Sequence, residues 1–152
     1  MNRLFTFVFA AMLPLAAIAQ STEEPAGNEP EPGLITPAHR YDLADFQWLF
    51  RPIVIFADTK ADPRFSQQME SLRAELELLS ERDVLILTDT DPALNSPARQ
   101  KLRPRGFQFV LIGKDGRVLM RRPSPQSVRE ITRSIDKLPT RQREIDERRG
   151  SR

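Results

Sequence analysis

Residues 107–122 read FQFVLIGKDGRVLMRR, and this stretch restricts the fold more than any other. An apolar run enters, Gly113-Lys114-Asp115-Gly116 reverses it, and a mixed run leaves with two arginines. Turn residues flanked by β-formers predict a β-hairpin. Gly116 is expected in the left-handed conformation that a short turn with a bulge requires. A hairpin needs a sheet beside it, so the rest of the chain must supply strands and covering helices.

Two continuous apolar runs upstream meet that need. Ile53–Ala57 (IVIFA) and Asp83–Thr88 (DVLILT) are short and β-branched, as in strands buried on both faces. Between them, Phe65, Met69, Leu72, Leu76 and Leu79 step by four and three, which predicts a helix running to about Ser80. Asp62-Pro63 opens it with a capping residue and a proline at the first helical position. Ser96-Pro97 predicts a short helix to about Leu102, and Pro123-Ser124-Pro125 leads into another whose Val128, Ile131, Ile135 and Leu138 share a face. A helix is expected over Tyr41–Phe50, with Trp48 and Phe50 in the core and Pro52 as its stop. Pro139 is read as the stop of the last helix. Leu34-Ile35-Thr36 is a candidate for a first strand.

The order is β-α-β-α-β-β-α, an α/β fold with a central mixed sheet flanked by helices. The expected organisation is a leader at 1–19, a disordered Pro/Glu-rich linker at 20–38, one domain at 39–139 and a frayed polar tail at 140–152. The leader carries Arg3, an apolar run from Leu4 to Ile18, and Ala17-Ile18-Ala19. That is the layout of a secretory signal peptide cut between Ala19 and Gln20. Its removal would leave no transmembrane segment and a periplasmic or secreted protein.

The segment from Ile53 to Lys137 resembles thioredoxin-like proteins. In redox members of that fold a Cys-x-x-Cys opens the helix after the strand. Here the matching stretch is Ala61-Asp62-Pro63-Arg64, with alanine and arginine at the cysteine positions. Pro104 is only loosely placed for the cis-proline that the fold keeps before its hairpin. IVIFA with Asp62-Pro63-Arg64, then LIGKDGRV, then SIDKLPTRQREI, resemble more closely an exported bacterial domain family of unknown function. That family is similar to modules in animal sushi-repeat matrix proteins. The resemblance implies fold and export, and carries over no activity, substrate or catalytic residue.

The chain has no cysteine, so a disulfide, a thiol redox centre and thiolate zinc sites are all excluded. Its one histidine, His39, stands beside the linker and is given no role. No cofactor is expected. Charge is uneven: residues 20–38 hold four glutamates and no base, residues 39–95 six Lys/Arg against eleven Asp/Glu, and residues 96–152 sixteen Lys/Arg against six Asp/Glu.

Open α/β sheets bind ligands beyond the carboxyl ends of their parallel strands. Asp58, Asp62, Asp89 and Asp91 would gather there, and four carboxylates suit Ca²⁺ or Mg²⁺. Capping and turn formation account for the same residues more simply. The helix starting at Pro63 offers an anion site, with Thr59, Lys60 and Arg64 beside it. Lys114, Arg121 and Arg122 belong to a basic face that suits an acidic envelope protein or an anionic glycan or lipid surface. Export and the lack of interleaved aromatics argue against nucleic acid. The reading is a non-redox binding module. The alternative is a cysteine-independent enzyme or divalent-cation binder using the Asp58–Arg64 loop with Asp89 and Asp91.

Overall fold

The computed structural model describes residues 33–151. The leader and most of the linker therefore lie outside the described residues. Five strands form one sheet: β1 (Ile35–Pro37), β2 (Arg51–Phe56), β3 (Val84–Asp89), β4 (Gln108–Ile112) and β5 (Val118–Arg122). Their order across the sheet is β1-β3-β2-β4-β5. β3 runs parallel to both β1 and β2, whereas β4 is antiparallel to β2 and β5 to β4. The edge strand β1 and the buried Ala38 fall inside the stretch read as linker, so ordered structure starts earlier than expected. The backbone reason is concrete: β1 registers Ile35 opposite Ile86 and Thr36 opposite Leu87.

Strand alternation divides the core in two. Ile53, Ile55, Ile86, Phe109 and Leu111 pack under helices α1 (Pro63–Ala74), α2 (Leu76–Ser80) and α4 (Val128–Asp136). Val54, Phe56, Leu85, Leu87, Val110 and Ile112 face α3 (Pro97–Leu102) and two 3-10 turns, Ala38–Arg40 and Leu43–Phe46. Each large apolar side chain fully buried this way contributes about 1.5–3 kcal/mol before entropy is counted. Asp62 and Ser96 cap α1 and α3 as expected, and Ser127 caps α4 in a reciprocal box with Glu130. In the hairpin Gly116 has φ +81, and the register jumps from Leu111 opposite Met120 to Ile112 opposite Val118, the expected bulge.

Four expectations are corrected. The long helix is two, because Glu75 (φ −133, ψ 36) leaves helical geometry between α1 and α2. The helix over Tyr41–Phe50 is a single 3-10 turn opened by Asp42 and Asp45. It cannot propagate, since Arg51 must already pair with Val84 and the Trp48 N–H is held by the Lys114 carbonyl at 2.7 Å. Trp48 is accordingly exposed at 67%, outside the core, while Phe50 is half-buried against the α3-side cluster. The polar tail is a helix, α5 (Pro139–Gly150), with Pro139 at its first position. It is held by charge, since Arg141 is buried and Glu144 reaches Arg51 at 2.8 Å. Among the described residues no peptide bond is cis, Pro104 included.

Candidate functional site at the carboxyl end of the sheet

The strand directions bring four segments to one end of the sheet. Residues 57–62 follow β2, residues 90–96 follow β3, Arg105 and Gly106 precede β4, and Arg121 and Arg122 close β5. The register places Phe56 opposite Gln108 and Phe109 opposite Arg122. Of the anion-site residues read from sequence, Thr59, Lys60, Arg64, Arg121 and Arg122 share this end. Lys114 lies in the hairpin turn at the other.

Local bonds explain most of the loop. Asp62 accepts from the Arg64 N–H at 2.9 Å, and the Arg64 guanidinium forks back onto the same carboxylate at 2.8 and 3.1 Å. The hydrogen bond from Arg64 is the main reason that the Asp62 carboxyl is held below its ordinary value. Arg64 also lies 5.3 Å from the centre of the Phe107 ring. An anion arriving at the start of α1 would have to displace Asp62. Thr59 Oγ1 accepts from Ala61 N, and Lys60 is exposed with no hydrogen bond or ion pair among the described residues. Asp58 lies close to Gly106, whose positive φ of +58 turns the chain into β4.

The remaining acids are also committed. Asp89 is 6% exposed; it accepts from Ser96 Oγ and pairs with Arg99 Nη2 at 2.8 Å. Arg99 continues to the Ala57 carbonyl at 3.2 Å and lies 5.4 Å from the Phe56 ring centre. This buried pair fastens α3 to the ends of β2 and β3. Asp91 accepts from Ala93 N at 3.0 Å and starts a 3-10 turn. Among the described residues no three acids or histidines are grouped so as to hold a metal ion. Asp62 and Asp91 are thus cap residues and Asp89 is the buried partner of Arg99, while Asp58 lies beside Gly106.

A cleft of about 220 Å³ opens beside β3, lined by His39, Lys60, Thr88, Thr90, Asp91 and Ser96 among others. His39, given no role from sequence, stands in it because the 3-10 turn after β1 carries it there. Of the sequence signals, the candidate strand at Leu34-Ile35-Thr36 is the one that locates it.

The two arginines of β5 part company. Alternation along the strand sets Arg121 opposite Val110 and Arg122 opposite Phe109, residues of the two different core faces. Arg121 Nη1 donates to the Leu102 carbonyl at 2.9 Å, tying the sheet edge to the end of α3. It thereby joins Lys101 and Arg103, which have no carboxylate partner among the described residues. Arg122 lies on the α4 side, where its charge, with the larger effect of hydrogen bonds from Ser127, lowers the Glu130 pKa.

At the opposite end the cations are engaged. Arg51, 0% exposed, bonds the Arg82 carbonyl at 2.9 Å and Glu144 at 2.8 Å. Lys114 bridges Asp83 at 2.8 Å and Glu144 at 3.2 Å, Arg148 reaches Asp83 at 3.2 Å, and Arg82 forks onto Asp136. Burial alone would raise Glu144, but hydrogen bonds from Arg51 and Lys114 and their charges outweigh it and hold the carboxyl at about 2. Asp136, Arg141 and Glu144 of SIDKLPTRQREI and Lys114 of LIGKDGRV all sit in this network, so these phrases specify structure.

Residues 42–144 match the family model of DUF4174, a domain of unknown function. The chain belongs to this family. Among solved structures this DUF4174 domain is similar to the reduced 2-Cys peroxiredoxin of Plasmodium vivax, at 18% identity over 62% of this chain and 80% of that one, with a TM-score of 0.51. It is also similar to thioredoxin peroxidase I of Plasmodium yoelii, at 22% identity over 66% and 79%, with a TM-score of 0.48. The first likeness shows a thioredoxin-like fold. The cysteines for which that protein is named have no counterpart here, since the chain contains none. No curated protein matches the chain. Among the described residues no helix is long and apolar enough to cross a membrane.

Proposed function

We propose that this DUF4174 domain is a non-redox binding module that works outside the cytoplasm and holds an acidic protein segment along its β5 edge. The observation that carries the reading is the Arg121–Leu102 hydrogen bond, which gathers Arg121 with Lys101 and Arg103 where no carboxylate among the described residues answers them. Among the described residues β5 pairs with β4 alone, so its outer side is an open strand edge, with the Arg121 carbonyl answered by its neighbour Arg122. An extended acidic segment satisfies both features, adding a strand while its side chains meet the arginines. A glycan or lipid surface would use the charge but not the open strand edge.

Retention of the domain on an immobilised Glu-rich peptide tests this. Binding should weaken steeply with salt and be lost in the Arg103→Ala, Arg121→Ala double variant. Retention on anionic vesicles or heparin without retention on the peptide overturns the reading. Export is supported by the leader layout of residues 1–19. N-terminal sequencing of protein recovered from the envelope should begin at Gln20, and an uncut Met1 would refute it.

A further inference from the structure

Trp48 has φ +68, a conformation that bulky side chains rarely adopt. It is fixed there by the bond from its N–H to the Lys114 carbonyl, and Gln47 Nε2 donates to the Asp115 carbonyl at 3.3 Å. The turn is tied down by these two bonds, yet the ring it displays is the chain's only tryptophan and is 67% exposed. Nothing in the core gains from it. The ring forms one wall of a groove of about 520 Å³, with Leu119, Leu138 and Pro139 as further apolar surface and Arg143 as a polar one. Such a volume suits a small organic ligand.

Charge narrows the class. Glu144, which also lines the groove, has both oxygens taken, by Arg51 and Lys114 on one and Arg141 on the other. Lys114 is held by Asp83 and Glu144. Across the network Arg51, Arg82, Lys114, Arg141 and Arg148 share only Glu81, Asp83, Asp136 and Glu144, which leaves an excess of positive charge. Arg143 has no hydrogen bond or ion pair among the described residues. The groove's other carboxylate, Asp115, accepts from the Arg117 N–H at 3.1 Å and pairs with the Arg117 guanidinium at 3.7 Å, so a cationic ligand would meet no unanswered carboxylate there. A neutral apolar one would leave Arg143 unanswered.

We propose that this groove binds a small organic monoanion, a carboxylate carried on an apolar ring or chain. The apolar body lies against Trp48, Leu119 and Leu138, and the carboxylate takes the Arg143 guanidinium in a two-point contact. The locked tryptophan is already placed for the ligand, so little ordering cost remains on binding. This site shares Leu119 with β5 but none of the cations of the acidic-segment reading, and stands or falls without it.

The single tryptophan reports on the site directly. Adamantane-1-carboxylate titrated into the full chain should give a saturable change in Trp48 fluorescence. 1-Adamantylamine and 1-adamantanemethanol should bind about tenfold more weakly or worse, a difference of about 1.4 kcal/mol. Arg143→Ala should remove the preference for the carboxylate over the alcohol, while Arg121→Ala leaves it intact. Trp48→Gly relieves the positive φ, so its melting temperature should hold or rise while calorimetric binding of the carboxylate is lost. No saturable signal, equal binding of amine and carboxylate, or an unaltered preference in Arg143→Ala overturns the proposal.

Discussion

The two ends of the sheet use the same kind of residue for opposite ends. At the hairpin-turn end, Arg51, Lys114, Arg141 and Arg148 are drawn onto Asp83, Asp136 and Glu144, and the cations become part of the framework. At the carboxyl end, Lys60, Lys101 and Arg103 answer to no carboxylate among the described residues, whereas Arg64 and Arg99 are matched. The lesson is that a basic stretch in the sequence is not one surface. Its charges divide according to which residues the topology brings carboxylates to, and only the unmatched ones remain for a partner.

The contrast is broken most severely by Arg51→Ala. Removing a fully buried cation takes from Glu144 its nearest partner and from the Arg82 carbonyl its donor, and urea unfolding should show a loss of about 3–5 kcal/mol. Asp89→Asn is the counterpart at the carboxyl end, where it leaves Arg99 without its carboxylate and Ser96 with a weaker acceptor. A loss of about 2 kcal/mol is expected in the same measurement. If it equals the Arg51 loss, the two ends do not differ as described.

Acid sharpens the comparison. Glu144 is held at about 2 in the folded chain against an ordinary 4.5. A depressed carboxyl contributes stability that is present above pH 4.5 and is lost as pH falls toward 2. The melting temperature should therefore drop across that interval, and Glu144→Gln should flatten the drop while lowering the plateau above it. The smallest effect belongs to Arg103→Ala with Arg121→Ala. Stability should change by about 1 kcal/mol or less in all, because both are exposed, no acid among the described residues matches them, and Arg121 loses one bond, to the Leu102 carbonyl. Retention on the acidic peptide should nevertheless be lost, and a stability loss as large as that of Arg51→Ala would make these residues framework too.

Much of the frame was legible because it is written in local signals. The strands at Ile53–Ala57 and Asp83–Thr88, the caps at Asp62 and Ser96 and the Gly116 turn each depend on neighbours within a few residues. Three features were not legible for the same reason. Arg51 has no local signal for burial, which depends on Glu144, 93 positions away. Pro139 reads as a helix stop, yet it serves equally as the first residue of α5, which follows at once. Trp48 sits at helical spacing from its apolar neighbours, and only the Lys114 carbonyl across the hairpin turns it outward. At the candidate site the single residues were found but their grouping was not. Arg121 and Arg122 are adjacent in sequence, and the strand's alternation sends them to opposite faces.

The Arg51–Glu144 contact also sets an order of events. As the chain emerges residue by residue, Arg51 and the whole of β2 are present long before α5 exists. Until Glu144 arrives, closing the sheet over Arg51 would bury a cation without its nearest carboxylate. Burial of Arg51 beside its nearest carboxylate is therefore complete only once the last helix has been made.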